Sequence, residues 1–230
     1  MPRKNTVRQD VEGGFYHIYN RGVNKGEIFK DKKDYLVFLR FLKEYLLPPS
    51  HKDLKVLQGF NPRRRPINCH DLVELLAFCL IPNHFHLFVR QLKSGGVSEF
   101  MRVLATNYSM YFNYRHKRVG PLFQGNYKSV LIQNEPYFVY ITKYIHMNPA
   151  GIITKVKPSQ ELKEYSYSSY PNYLGMAKAD WLNTKIILEI FQKNSKDLGF
   201  DSYKRFVEDC EAGDGVSCFD EISWLLLDNE

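Results

Sequence analysis

One stretch limits what this chain can fold into more than any other. Val73 to Ile81 and His84 to Gln91 are two apolar, β-branched and aromatic runs with only Pro82 and Asn83 between them. Two strands joined by so short a connection pair most simply as an antiparallel hairpin. The rest of the fold has to be arranged around that hairpin.

The flanking segments supply the other layers. Phe15 to Gly22 (FYHIYNRG) reads as a strand that ends in an Asn-Arg-Gly turn. From Lys32 to Leu46, Tyr35, Phe38, Leu39, Leu42 and Leu46 recur at spacings of three and four, which makes one apolar helix face stopped by Pro48-Pro49. After the hairpin, Ser94-Gly95-Gly96 breaks the chain, and Ser98 is placed to cap a helix carrying Met101, Leu104, Ala105, Tyr108 and Phe112 on one side. Tyr127 to Ile132 reads as a strand, and Glu135 to Met147 as a helix halted by Pro149 and Gly151. Strand, helix, strand, strand, helix, strand is the split β-α-β order of an α+β, ferredoxin-like fold with an antiparallel sheet, followed here by an added helix. Residues 50–69, with Arg63-Arg64-Arg65 between prolines, read as an exposed basic loop. Pro158 to Tyr173 reads as irregular, and Trp181 to Lys193 and Ser202 to Cys210 as helices.

Composition narrows the function. The 230 residues suit one domain with an appendage, and no apolar run approaches the ~20 residues of a membrane span. Met1-Pro2-Arg3-Lys4 leads into polar residues instead of a signal-peptide core, so a cytoplasmic protein is expected. Cys69, Cys79, Cys210 and Cys218 form no C-x-x-C pair and are read as reduced and mostly structural. The net charge of +7 favours a polyanionic partner, because Lys and Arg gain affinity by displacing counterions from phosphates.

The candidate chemistry lies in the second arm of the hairpin. His84 and His86 are two apart on a strand, so both rings leave the same face about 7 Å apart while Phe85 enters the opposite layer. That is half of a metal site, or two histidines on a polar sheet face. In the later helix, Tyr144 and Asn148 are four apart and share a face, whereas His146 lies about 200° round from Tyr144. Two imidazoles and an amide oxygen suit Mg²⁺ or Mn²⁺ with open positions, and a nearby phenolate is a candidate nucleophile toward a phosphodiester. Tyr144 packing as a core residue beside Ile141 and Ile145 fits the same spacing. Cys79, His84 and His86 together would instead suit zinc. The Gly-rich Lys-Ser/Thr phosphate loop, the nucleophile elbow and H-E-x-x-H are all missing, which excludes the reactions that depend on them. The run Tyr108 to Lys128 interleaves aromatic rings with Arg115, Lys117, Arg118 and Lys128, the mixture that grips unstacked single strands.

Five segments, in order, resemble the single-tyrosine HUH transposases and, within them, the REP-associated tyrosine transposases. They are FYHIYNRG (15–22), LIPNHFHLFV (80–89), GPLFQGNYKS (120–129), YIHMNPAG (144–151) and YSYSSY (165–170). The resemblance implies a catalytic domain over residues 1–157 and a mostly helical extension over 158–230 for DNA recognition or self-association. It implies His84, His86 and Asn148 as ligands of Mg²⁺ or Mn²⁺, and Tyr144 as the nucleophile that cleaves and rejoins single-stranded DNA through a 5′-phosphotyrosine link, leaving a free 3′-OH. The partner it implies is palindromic hairpin DNA, met by Arg115, Lys117, Arg118, Gln124, Tyr127 and Lys128 of a monomer or homodimer. In dimers of this kind the tyrosine helix is sometimes exchanged, and Pro149-Ala150-Gly151 is where it would hinge. Asn126 stands where the pattern is usually basic, and Tyr167 where it usually has Trp. A non-cleaving DNA-hairpin binder and an RNA-binding module of the same fold are the competing readings.

Overall fold

The computed structural model describes residues 9–51, 68–150 and 162–209. The basic segment 63–65 and the division between residues 157 and 158 lie outside them. Four strands, β1 (Phe15–Arg21), β2 (Val73–Ile81), β3 (His84–Gln91) and β4 (Lys128–Ile132), form one antiparallel sheet in the order β2-β3-β1-β4. With helices α1 (Lys32–Leu46) after β1 and α2 (Gly96–Arg115) after β3, this is the ferredoxin-like arrangement that the order of segments implies.

Both faces of the sheet are covered. Phe38 and Leu42 of α1 and Leu104 and Tyr108 of α2 pack on Phe85, Leu87 and Val89. On the other face α3 (Glu135–Met147) lies over Phe88 and Val130, and α5 (Lys185–Leu198) and α6 (Tyr203–Glu208) close over α3 through Ile187, Phe191 and Phe206. The short α4 (Tyr170–Tyr173) precedes them. A bulge at Leu76 lets Leu75 and Phe78 face the first layer while Leu76, Ala77 and Cys79 face the second. The outer edge of β2 is paired by the YSYSSY segment, where Leu80 N–H donates to Tyr167 O and Ser169 N–H to Phe78 O.

Helix starts differ from the sequence reading in two places. Ser98 does not cap α2. The helix begins at Gly96 after Gly95 in the left-handed region, its Val97 N–H is taken by Gln91 Oε1, and Gly95 N–H by Asp10 Oδ1. Acceptors distant in sequence have replaced the local cap. The segment from Trp181 to Thr184 is likewise not helical: Trp181 packs against Phe78 and α5 starts at Lys185. Among the described residues, no helix is long and apolar enough to cross a membrane.

Candidate active site

Three motif segments converge at one end of the sheet because their backbones bind each other. Gly22 N–H donates to Asn83 O, Val23 N–H to Leu122 O and Gln124 N–H to Arg21 O, while Ile28 and Phe29 both donate to Pro82 O. Gly22 must be glycine, since a Cβ there would lie 2.0 Å from Gly26 O. This knot holds the Pro82-Asn83 turn, and with it the start of β3.

His84 and His86 leave β3 on the face that α3 covers, as their spacing requires. Their rings meet at 4.9 Å, and His84 Nδ1–H donates to Asn83 Oδ1 at 2.7 Å, which leaves its Nε2 as the nitrogen with a lone pair. His86 is buried, and burial above all holds its imidazole neutral, helped by His84, His17 and Arg21 nearby and opposed by Asn148. Its Nε2 is buried, and the Asn148 side chain is a polar group beside the ring.

Helix α3 brings the other two residues over this pair. The Tyr144 ring stands edge-on to His86 at 5.4 Å and to His17 at 5.9 Å, all in one chain. Asn148, one turn on, donates its amide to Tyr144 O at 3.0 Å, so its side-chain oxygen is the atom left for His86. His146 turns away, as its angular offset predicts. It is buried between Ser169 Oγ at 2.8 Å and Tyr203 OH at 2.9 Å, and burial lowers its pKa to about 3. Cys79 lies opposite His86 in the β2–β3 register, with its thiol pushed up by burial. Among the described residues, no group of three or more His, Cys, Asp or Glu is placed to hold a metal, so any cation here rests on two imidazoles and an amide.

Two residues at this site escaped the sequence reading. His17 and Tyr19 share the α3 face with His86, and their rings lie 5.1 and 5.9 Å from it. The signal was available: Phe15, His17, Tyr19 and Arg21 alternate on one face, and a ferredoxin-like order makes β1 the neighbour of β3.

The residues read as DNA contacts are scattered around this end. Lys128 belongs to β4, and its ammonium sits 5.7 Å above the Tyr19 ring. Gln124 and Lys117 are exposed, and Tyr127 is buried against Ser98. Arg118 binds Asn113 Oδ1 and Pro121 O. Arg115 is engaged inside the protein, at 2.6 Å from both Asp31 and the fully buried Asp34, which also accepts from His116 and Tyr111.

Comparison with known proteins bears on the fold. No curated protein matches the sequence. One solved structure, described as the REP-associated tyrosine transposase bound to a REP hairpin, shares the fold at a TM-score of 0.50 and 15% identity, over 77% of this chain and 90% of that one. Residues 60–148 match the family described as "Transposase IS200 like", a span that takes in His84, His86, Tyr144 and Asn148. That segment is what the chain shares with the IS200-like transposases, and the solved structure shows the fold.

Proposed function

We propose that the chain cuts and rejoins single-stranded DNA at hairpin-bearing ends, with Tyr144 as the nucleophile and a divalent ion, Mg²⁺ or Mn²⁺, held by His84, His86 and Asn148. The observation that carries this reading is the meeting of Tyr144 with His86, which in turn lies against His84, with Asn148 one helix turn on from Tyr144.

The donor set fits such an ion. Asn83 takes the Nδ1 proton of His84, which leaves a lone pair on its Nε2, and one Asn148 amide hydrogen goes to Tyr144 O with the side-chain oxygen turned to the buried His86, so two imidazole nitrogens and one amide oxygen are the donors on offer. A hard divalent cation bound there would polarise a phosphodiester oxygen. Tyr144 Oη then forms the bond to phosphorus, the bond from phosphorus to the 3′ oxygen breaks, and the phenol proton ends on the departing 3′-OH. Reversal at another 3′ end rejoins the strand without ATP, because the phosphotyrosine conserves the bond energy. The REP hairpin bound in the solved structure of similar fold supports DNA of that class as substrate. Lys128, Lys117, Arg118 and Gln124 are proposed to contact it, with Arg115 and the buried Tyr127 contributing through the shape of the surface.

The test is a denaturing gel of the protein incubated with labelled hairpin-flanked single strands and Mn²⁺. A covalent adduct that disappears with Tyr144→Phe and with chelator is expected. Tight binding without any adduct, across substrates drawn from the flanking DNA, supports the non-cleaving binder instead.

A further inference from the structure

Of the Phe, Tyr and Trp rings among the described residues, one stands exposed: Tyr114, at 79%. Tyr108, Tyr111, Phe112, Phe123 and Tyr127, the other rings of the same stretch, are buried. If this stretch stacks on a base, Tyr114 is the ring that can do it. We propose that Tyr114 and Lys117, at the end of α2, seat one unpaired nucleotide of the single strand that flanks the hairpin, the ring taking the base and the ammonium its phosphate. The proposal rests on the DNA reading above and assigns a contact away from the catalytic residues.

The fold fixes where this seat lies. Helix α2 starts beside the end of β3, where Val97 N–H meets Gln91 Oε1, and runs back toward the end from which β3 sets out at His84. Tyr108 OH donates to Ile28 O, and Ile28 N–H to Pro82 O in the turn ahead of His84. Beyond the helix, Leu122 O accepts from Val23 N–H. The last turn of α2 is therefore tied to the same knot as the candidate active site, on the opposite face of the sheet from α3.

The turn that follows α2 is held from within. Asn113 Nδ2–H donates to Gly120 O at 2.9 Å and Arg118 N–H to Asn113 O at 2.9 Å, while the Arg118 guanidinium binds Asn113 Oδ1 and Pro121 O. Inside this clasp Lys117 takes a left-handed conformation, at φ +50°, just past a helix end where glycine is usual. A side chain there strains the backbone in a way that glycine would not. What lysine adds over glycine is an exposed cation three residues from Tyr114. Lys25 repeats the pattern at the same end of the sheet, exposed and at φ +58°, with its carbonyl held by the Asn83 amide. Strained residues of this kind gather where ligands are gripped.

Charge and geometry select the occupant. Asp31 and Asp34, the carboxylates beside the last turn of α2, are both engaged by Arg115, whereas Lys30 brings its ammonium to 5.8 Å from the Phe112 ring and Arg118 its guanidinium to 6.0 Å. An exposed ring with cations around it is the combination that holds single-stranded nucleic acid. A base within a stem already has both faces stacked, so the nucleotide must be unpaired. The loop of a hairpin moves away as the stem lengthens, but the flanking strand keeps a fixed distance from the bond that is cut. A seat tied to the end of the sheet that holds His84 suits the flank.

The experiment measures binding of the full chain by fluorescence anisotropy, in chelator so that no strand is cut. The labelled DNAs are a hairpin with single-stranded flanks, the same hairpin without them, and a blunt duplex. Tyr114→Ala is expected to bind the flanked hairpin about 10-fold more weakly than wild type and the other two within about 2-fold, while Tyr114→Trp, which keeps a stacking ring, stays within about 3-fold on all three. Because glycine suits φ +50°, Lys117→Gly should melt no lower than wild type. It should nevertheless bind the flanked hairpin more weakly, with a salt slope shallower by about one. Wild-type affinity of Tyr114→Ala for the flanked hairpin overturns the proposal. So do equal weakening on the flankless hairpin or the duplex, a Tyr114→Trp variant as weak as Tyr114→Ala, and an unchanged salt slope in Lys117→Gly. No cleavage enters these readings, so the two failures are distinct: the adduct gel judges Tyr144, and the flank-dependent loss judges Tyr114.

Discussion

Tyr144 and His86 belong to one chain and meet ring edge to ring face, 5.4 Å apart at 85°. A site completed within the chain does not need a tyrosine from a second copy. Mixing Tyr144→Phe with His86→Ala protein is therefore expected to give no adduct on hairpin DNA above the level of each variant alone. Recovery of cleavage in the mixture, measured on a denaturing gel, would show that the tyrosine helix crosses between chains.

Arg115 separates folding from binding. Its guanidinium holds Asp31 down to about 2 and pairs with the fully buried Asp34. Removing it leaves that carboxylate short of its best partner, which is expected to cost about 2–3 kcal/mol. Arg115→Ala should lower both the denaturant midpoint and hairpin affinity. The exposed Lys117→Ala should weaken hairpin binding, reduce its salt dependence and leave the midpoint within about 0.5 kcal/mol of wild type.

The buried His146 gives stability a pH dependence. Its folded pKa of about 3 lies below the ordinary histidine value, so the unfolded chain takes up a proton that the folded chain refuses. Stability from this group is complete above about pH 6.5 and falls by roughly 1.4 kcal/mol per pH unit below it, until the folded pKa is reached. Unfolding free energies measured from pH 6.5 to 5 should decline, and more steeply than His146 alone would give, because the buried neutral His86 acts in the same direction. His146→Gln should flatten it by about one proton, even where its stability at neutral pH is lower.

Gly22→Ala tests the knot at the end of the sheet. The added carbon has no room beside Gly26 O, and its residue donates to the Asn83 carbonyl in the turn ahead of His84. A loss of about 2 kcal/mol or more in chemical denaturation is expected, with a larger fall in cleavage than Lys117→Ala produces.

The hairpin, the ferredoxin-like order and the placement of His84, His86, Tyr144 and Asn148 were legible because each follows from a local period of two or 3.6 residues. What was not legible depends on partners remote in the chain. His17 gains meaning only when β1 lies beside β3. Ser98 looks like a cap until Gln91 reaches over to Val97. Arg115 reads as a surface cation because nothing near it in sequence shows Asp34 beneath it. The bulge at Leu76 leaves no mark in composition, yet it decides that Cys79 lies across from His86 on the site's face.

Helix α3 has the sheet on one side and α5 and α6 on the other. Its amides should thus exchange with deuterium only when the whole fold opens, alongside those of β1 and β3, and not with the slow fraying expected of a peripheral helix. A DNA end joined to Tyr144 would be moored to the least-opening part of the molecule. Tension on that strand would be resisted by global unfolding of the domain instead of by the local detachment of one helix.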